Sequence, residues 1–195
     1  PPAPGDEGQA LGTYMHADYN LNNNIHIPQT YGGIEYDYVG EEKVNIKEVA
    51  QAIAEGKIIG WYQGRSESGN RALGNRSILA DPRNPSIKDI INSTIKMRED
   101  FRPFAPSVLE EHYQEYFDTN QPSPYMSRIV PVKSDKIPGV THIDGTARIQ
   151  TVNRDQNERF YDLINEFYKI TGIPMLLNTS FNCQEPIVET PEDAI

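Results

Sequence analysis

Cysteine is all but absent from this 195-residue chain. Cys183 stands alone, which excludes an internal disulfide and any metal site built from several thiolates. Long apolar runs are missing too: nothing reaches the roughly 20 residues that cross a bilayer. The opening Pro1-Pro2-Ala3-Pro4 has no signal-peptide character, so a cytoplasmic location and no membrane partner are expected. Basic residues are in deficit, 18 Lys and Arg against 28 Asp and Glu for a formal net charge of −10. A phosphate backbone rewards the opposite balance, so nucleic acid is not an expected partner. His16, His26 and His112 show no metal-ligand spacing.

The positive charge that exists is concentrated. Gly64-Arg65-Ser66-Glu67-Ser68-Gly69-Asn70-Arg71-Ala72-Leu73-Gly74-Asn75-Arg76-Ser77 holds three glycines and three arginines in fourteen residues, entered from the apolar run Ile58-Ile59-Gly60-Trp61-Tyr62. Such a backbone turns sharply at the end of a buried strand. Its guanidinium groups can converge on one small anion, because a planar fork donates paired hydrogen bonds to phosphate or carboxylate. A surface loop with scattered ion pairs is the equal alternative on composition alone. From Gly64 to Arg102 eight basic residues stand against five acidic ones, a +3 island in an acidic chain. That pattern suits a small polyanion better than a long one.

The length allows one well-buried domain, or one domain and a fragment of another. Gly5-Asp6-Glu7-Gly8-Gln9-Ala10-Leu11-Gly12 spaces its glycines for a turn feeding a helix, and residues 18–43 read as a linker. Asn45 with Glu48 forms a capping pair ahead of Ile46, Val49, Ala50, Ile53 and Ala54 at helical spacing, closed by Gly56. Residues 57–62 predict a strand, Ser77 to Ala80 a second, and Asp81-Pro82-Arg83-Asn84-Pro85 a turn. Ser86 then caps a helix that buries Ile87, Ile90, Ile91, Thr94 and Ile95, with Lys96 in its last turn and Arg102 just past it. Residues 126–133 and the stretch entered by Arg148 predict strands. Phe160, Leu163, Ile164, Phe167 and Tyr168 predict a helix ended by Gly172, and Pro174 to Leu177 a strand leading to Asn178-Thr179-Ser180-Phe181-Asn182. Thr190-Pro191-Glu192-Asp193 reads as a helix start cut short, so the chain is expected to be a piece of a longer protein. Alternation of strands and helices predicts an α/β domain.

Four polar clusters, at 65–76, 96–102, 142–150 and 178–182, resemble in order the C-terminal domain of carbamoyltransferases of the NodU/CmcH type. The matching stretches include Gly69-Asn70-Arg71-Ala72-Leu73-Gly74-Asn75-Arg76-Ser77, Arg98-Glu99-Asp100-Phe101-Arg102-Pro103-Phe104-Ala105-Pro106, Asp144-Gly145-Thr146-Ala147-Arg148-Ile149-Gln150-Thr151-Val152 and Leu177-Asn178-Thr179-Ser180-Phe181-Asn182. The resemblance implies a YrdC-like twisted mixed sheet with flanking helices over residues 45–195. Residues 1–44 would be the tail and linker of a preceding actin-like ATPase-type domain. It further implies that carbamoyl phosphate and ATP, with Mg²⁺ on the nucleotide, form carbamoyladenylate for O-carbamoylation of a hydroxyl acceptor. Carried over by position, Arg71, Lys96, Arg102, Arg148 and Ser180 would hold carbamoyl phosphate, with Arg71, Lys96 and Arg148 catalytic. Asn178 and Asn182 are candidate nucleotide contacts. Asp6 matches a ligand of a metal ion such as iron that belongs to the preceding domain. The chain departs from the family pattern at Ser68 and Asn70, where an aromatic and a proline are usual, and at Gln184, where glycine is usual.

Other readings stay open. The pocket could hold a nucleotide or phosphate metabolite without chemistry, or serve RNA binding or tRNA modification as in YrdC-like relatives. His142 beside Asp144 reads first as a hydrogen-bonded turn residue and second as an acid or base. Trp61 and Tyr62 read as core. Arg65, Arg76 and Arg83 are expected to support the loop by pairing with Glu67 or Asp81.

Overall fold

The computed structural model describes Ala3 and residues 5–26, 29–36 and 44–195. Asp6–Gly8 form one 3-10 turn that feeds α1 (Gln9–Asn22), as the glycine spacing predicts. The helix runs past residue 18, where the linker was expected to begin. None of its residues is buried, and local bonds hold its end: Asn22 and His26 both reach the Asp18 carboxylate. A helix that buries nothing carries no apolar periodicity, the signal by which helices are found. Residues 27–28 and 37–43 of the predicted linker lie outside the described residues.

The remaining chain builds one mixed sheet. α2 (Ile46–Ala54) starts at the predicted cap: Asn45 Oδ1 accepts from the Lys47 amide and its Nδ2 donates to Glu48 at 2.8 Å. β1 (Ile59–Tyr62) and β2 (Arg76–Ala80) flank the arginine loop as an antiparallel pair. α3 (Ile87–Ile91) continues as a π-helical turn over Asn92–Lys96. The widened turn rotates the predicted face: Asn92 and Lys96 are buried, whereas Ile90 and Thr94 are exposed. β3 (Ala105–Leu109) follows, then α4 (Tyr113–Tyr116), β4 (Arg128–Pro131), β5 (Thr146–Val152), α5 (Glu158–Thr171) and β6 (Met175–Ser180). Thr190 and its neighbours make only a single 3-10 turn, Glu192–Ala194.

The strand order is β1-β2-β6-β3-β5-β4, with β3 and β5 parallel and the other pairs antiparallel. This is the expected mixed α/β sheet with flanking helices. β3 is a strand that the sequence hides, since prolines are rare inside sheets. Pro106 fits because the ladder to β5 begins only at Ser107. Successive residues of a strand point to opposite faces. Val108, Ile149 and Leu177 join α2 and α5 in the main core, whose largest members include Phe160, Phe167 and Ile53. Ala105 points the other way, into a small cluster with Leu73 and Met126 against which Tyr31 and Tyr125 pack. That second face carries the loops and the polar clusters.

Candidate functional site

The arginine loop is anchored from within by an acid. Glu67 Oε1 accepts from the amides of Leu73 at 2.7 Å, Asn75 at 2.8 Å and Arg76 at 3.3 Å. It therefore folds the loop back on itself and does not pair with an arginine, contrary to expectation. Arg76 is fully buried, stacked 3.7 Å over the Tyr62 ring and bonded to the carbonyls of Gln63, Asn75 and Glu189. Arg65 reaches Gly33 O and Glu35. Arg83 alone behaves as predicted, forking Asp81 through Nε and an η nitrogen.

A polar row across the sheet fixes the loop from below. Ser107 Oγ donates to Gln150 Oε1 at 2.6 Å, and Asn178 Nδ2 donates to Ser107 Oγ at 2.9 Å and to Ala72 O at 3.2 Å. Gln150 Nε2 donates to Leu73 O at 2.8 Å. Such pairing stabilises buried polar groups, and here it holds the two backbone carbonyls on either side of Leu73. Asn178, a candidate nucleotide contact, is thus buried beneath the loop and holds it in place.

The residues left over converge on a cleft. One cavity of about 400 Å³ is lined by Lys96, Arg98, Arg102, Ser180, Asn182 and Cys183 among others. A second of about 380 Å³ is lined by Arg71, Arg98, Arg102, Ile129, His142 and Arg148 among others. A smaller one of about 110 Å³, bordered by Arg71, Arg98, Arg148, Asn178 and Ser180, shares lining residues with both. Arg71, Lys96, Arg102, Arg148, Ser180 and Asn182, singled out in the sequence, all line this cleft. Asp6 does not. It sits exposed at the start of its 3-10 turn, accepting from Gln9 Nε2, and among the described residues no three metal-ligating side chains cluster. The described residues alone do not compose a metal site.

Arg98 borders all three cavities and was not among the predicted site residues. Its Nε donates to Asn92 Oδ1 at 2.7 Å and its guanidinium lies 4.9 Å from the Phe104 ring centre. Asn92, fully buried by the π turn, also donates to Asp100 O at 3.1 Å and Arg102 O at 3.0 Å. One amide thereby shapes the segment bearing Arg98 and Arg102. The signal for Arg98 was present in the sequence as its spacing from Lys96, two residues on; nothing marked Asn92.

Lys96 is 2% exposed, and its ammonium bonds Ser180 O at 2.5 Å, Asn182 O at 2.8 Å and Asn182 Oδ1 at 2.9 Å, with Ser180 Oγ at 3.2 Å. These bonds lock the turn after β6 against the π turn. Burial, then the neighbouring Arg98, pushes the Lys96 pKa down to about 8. Burial likewise pushes Arg148 below its ordinary value, aided by Arg71, and Arg98, aided by Arg102. Like charges crowded in this way, with Glu99 the one acid in the lining of the two larger cavities, favour an anion between them.

His142 is oriented by a relay. Thr146 Oγ1 donates its only proton to Asp144 Oδ1 at 2.7 Å, so the His142 Nδ1–H must be the donor across the 3.1 Å contact to Thr146 Oγ1. In the neutral ring Nε2 is then the proton acceptor. Burial, Arg148 and Lys88 push the imidazole below its ordinary pKa against the pull of Asp144, which favours that neutral form.

The carbamoyltransferase C-terminus family model matches residues 50–195. Nodulation protein NolNO of Sinorhizobium fredii (strain NBRC 101917 / NGR234) is 56% identical over 153 residues, 75% of this chain and 22% of that protein. Nodulation protein NolO of Bradyrhizobium diazoefficiens is 43% identical over 223 aligned positions, 100% of this chain and 40% of that protein. The chain spans about a fifth to two fifths of the length of these relatives. Among solved structures, full-length HypF in its phosphate- and nucleotide-bound form superposes with a TM-score of 0.54 over 83% of this chain and 20% of that one, at 20% identity. That likeness is one of fold.

Proposed function

The chain belongs to the carbamoyltransferase C-terminal family, and from that premise we propose that its cleft binds carbamoyl phosphate and ATP and joins them as carbamoyladenylate. The observation that carries the reading is the convergence of Arg71, Lys96, Arg98, Arg102 and Arg148 on adjoining cavities with almost no acid among them. The central cavity, about 110 Å³, suits one small anion, and the larger ones beside it leave space for a nucleotide. HypF, the neighbour in fold, was solved with phosphate and nucleotide, and the same two ligand classes are proposed for this chain.

In this mechanism Arg71, Arg102 and Arg148 fork the phosphate oxygens while Lys96 holds the Ser180–Asn182 turn against them. Water cleaves carbamoyl phosphate to carbamate and phosphate, and His142 Nε2 is the cleft group free to take the proton released. The carbamate oxygen then attacks the α-phosphorus of ATP, and pyrophosphate leaves with Mg²⁺ carried by the nucleotide. Catalysis is by position and charge stabilisation. Transfer to a hydroxyl acceptor is assigned to the parts of the longer relatives that this chain does not span. No step is routed through a metal at Asp6.

Calorimetric titration of carbamoyl phosphate tests the site. A charge-assisted hydrogen bond contributes about 1.5–3 kcal/mol, so Arg71→Ala should weaken binding by about 10- to 150-fold. The chemistry is tested by pyrophosphate release from ATP that requires carbamoyl phosphate. Tight binding without pyrophosphate release would leave a binding module in place of an enzyme, and no binding would remove the reading.

A further inference from the structure

Residues 29–36 come before α2 in the chain yet lie along the arginine loop, thirty-odd residues ahead. The contact is made backbone to backbone: the Gly33 amide donates to Ser66 O at 3.1 Å and the Ser68 amide to Thr30 O at 2.7 Å. The Gly32 amide adds Ser68 Oγ at 3.0 Å, and an Arg65 η nitrogen donates to Gly33 O at 3.2 Å. Gly32 and Gly33 permit this approach. A Cβ on Gly33 would run into Ser66 Oγ, and one on Gly32 would come within 2.5 Å of Ser68 Oγ.

Tyr31 is the side chain that reaches through. Its ring packs on the cluster of Leu73, Ala105 and Met126, and its hydroxyl donates to Leu73 O at 3.1 Å while accepting from Asn157 Nδ2 at 3.0 Å. Leu73 is two residues from Arg71, and the Ser66–Ser68 stretch is three residues from it on the other side. The segment therefore grips the loop on both sides of the arginine that enters the cleft. A polar contact running through a partly buried phenol between a chain segment and the back of a binding loop gives two elements one shared position. Any ligand that fixes one must then restrain the other, by reciprocity of coupled equilibria.

We infer that Tyr31 is a positioning residue through which the 29–36 segment sets the anion-binding conformation of the arginine loop, so that anion occupancy at Arg71 and docking of this segment favour each other. The inference rests on the anion-cleft reading. The segment lies between α1 and α2, so the coupling would carry occupancy of the cleft to the part of the chain that precedes the sheet. Its reciprocal consequence is that whatever displaces the segment loosens the site.

The test uses the 195-residue chain with inorganic phosphate and carbamoyl phosphate as probes. Hydrogen exchange of the Gly33 and Ser68 amides is followed with and without ligand, and affinity is measured for wild type, Tyr31→Phe and Gly33→Ala. Tyr31→Phe orphans neither partner, because Leu73 O still accepts from Gln150 and Asn157 Nδ2 still donates to Asn75 Oδ1. Ligand should slow exchange of both amides by about fivefold or more. Affinity should fall by about three- to tenfold in Tyr31→Phe and further in Gly33→Ala, with the melting temperature of Tyr31→Phe close to that of wild type. A stabilising role alone would move melting and leave ligand-dependent exchange untouched. Binding with no change in exchange and equal affinity in both variants overturns this inference and leaves the cleft reading standing. Absence of binding by the wild type removes the cleft reading and this inference with it.

Discussion

Lys96 shows how one side chain can serve a site while being almost closed to solvent. Its ammonium is satisfied by the Ser180–Asn182 turn, and its lowered pKa of about 8 sets a testable pH window. Sulfate stays a dianion throughout, so above the range in which His142 takes up its proton the affinity should be level to about pH 8 and fall as pH rises past it. The measurement belongs in a Cys183→Ser background, because that thiol lines the same cavity; Lys96→Met should bind weakly with no such step. The same shift affects stability. The folded-state pKa lies below the ordinary value of about 10.4, so between the two the unfolded chain binds more protons. Relative to Lys96→Met, stability should rise with pH from about 8 to 10, which denaturant melts at several pH values would read. At Asn92 the expectation is structural. Asn92→Ala removes bonds to Asp100 O, Arg102 O and Arg98 Nε and should destabilise by about 1–3 kcal/mol. It should also weaken phosphate binding by about tenfold while leaving every cation in place. Positions shared with the family pointed to Arg71, Lys96, Arg102, Arg148 and Ser180. They gave nothing for Asn92, because an asparagine inside a helix has no residue-level sign of the turn it will occupy.

At the scale of elements, the loop between β1 and β2 depends on close approach to α5. Gly74 has φ 112°, and a Cβ there would meet the ring of Phe160. Gly74→Ala combines overpacking, about 1–3 kcal/mol, with a backbone conformation costing about 1–2 kcal/mol for an L-residue. For a domain of this size the melting temperature should drop by about 5 °C or more, with anion affinity lost in parallel because Arg71 is carried by the same loop. Helices α2 and α5 were legible from caps and apolar spacing, since each buries one stripe. Two elements were not. The π turn at Asn92–Lys96 changes the helical period without changing the residue types that signal a helix. β3 places Pro106 inside a sheet where local rules argue against it, and only the neighbouring ladders make it a strand.

For the molecule as a whole, a cationic cleft sits in a chain of net charge −10. The field of the surrounding acids opposes anion approach at long range, while the cleft attracts at contact, where screening is least. Phosphate affinity should weaken only a few-fold from about 50 to 500 mM salt, the span over which the Debye length falls severalfold. A single-stranded RNA should show no salt-dependent binding in a filter assay, because an extended polyanion would meet the acids as well. Among the described residues no helix is long and apolar enough to cross a membrane. By itself the sequence determined the α/β class of fold and the main helices, since these depend on local period and capping, and resemblance to the family marked every cation of the cleft but Arg98. Tertiary structure decided which cations meet: the order β1-β2-β6-β3-β5-β4 brings Ser180 at the end of β6 and Arg148 of β5 to the side of the sheet where the arginine loop lies. It also decided that Arg65, Arg76 and Arg83 turn away to support while Arg71 enters the cleft. Those outcomes rest on contacts between residues far apart in the chain, such as Asn178 with Ala72 and Arg76 with Glu189, and no local pattern encodes a distance of that kind.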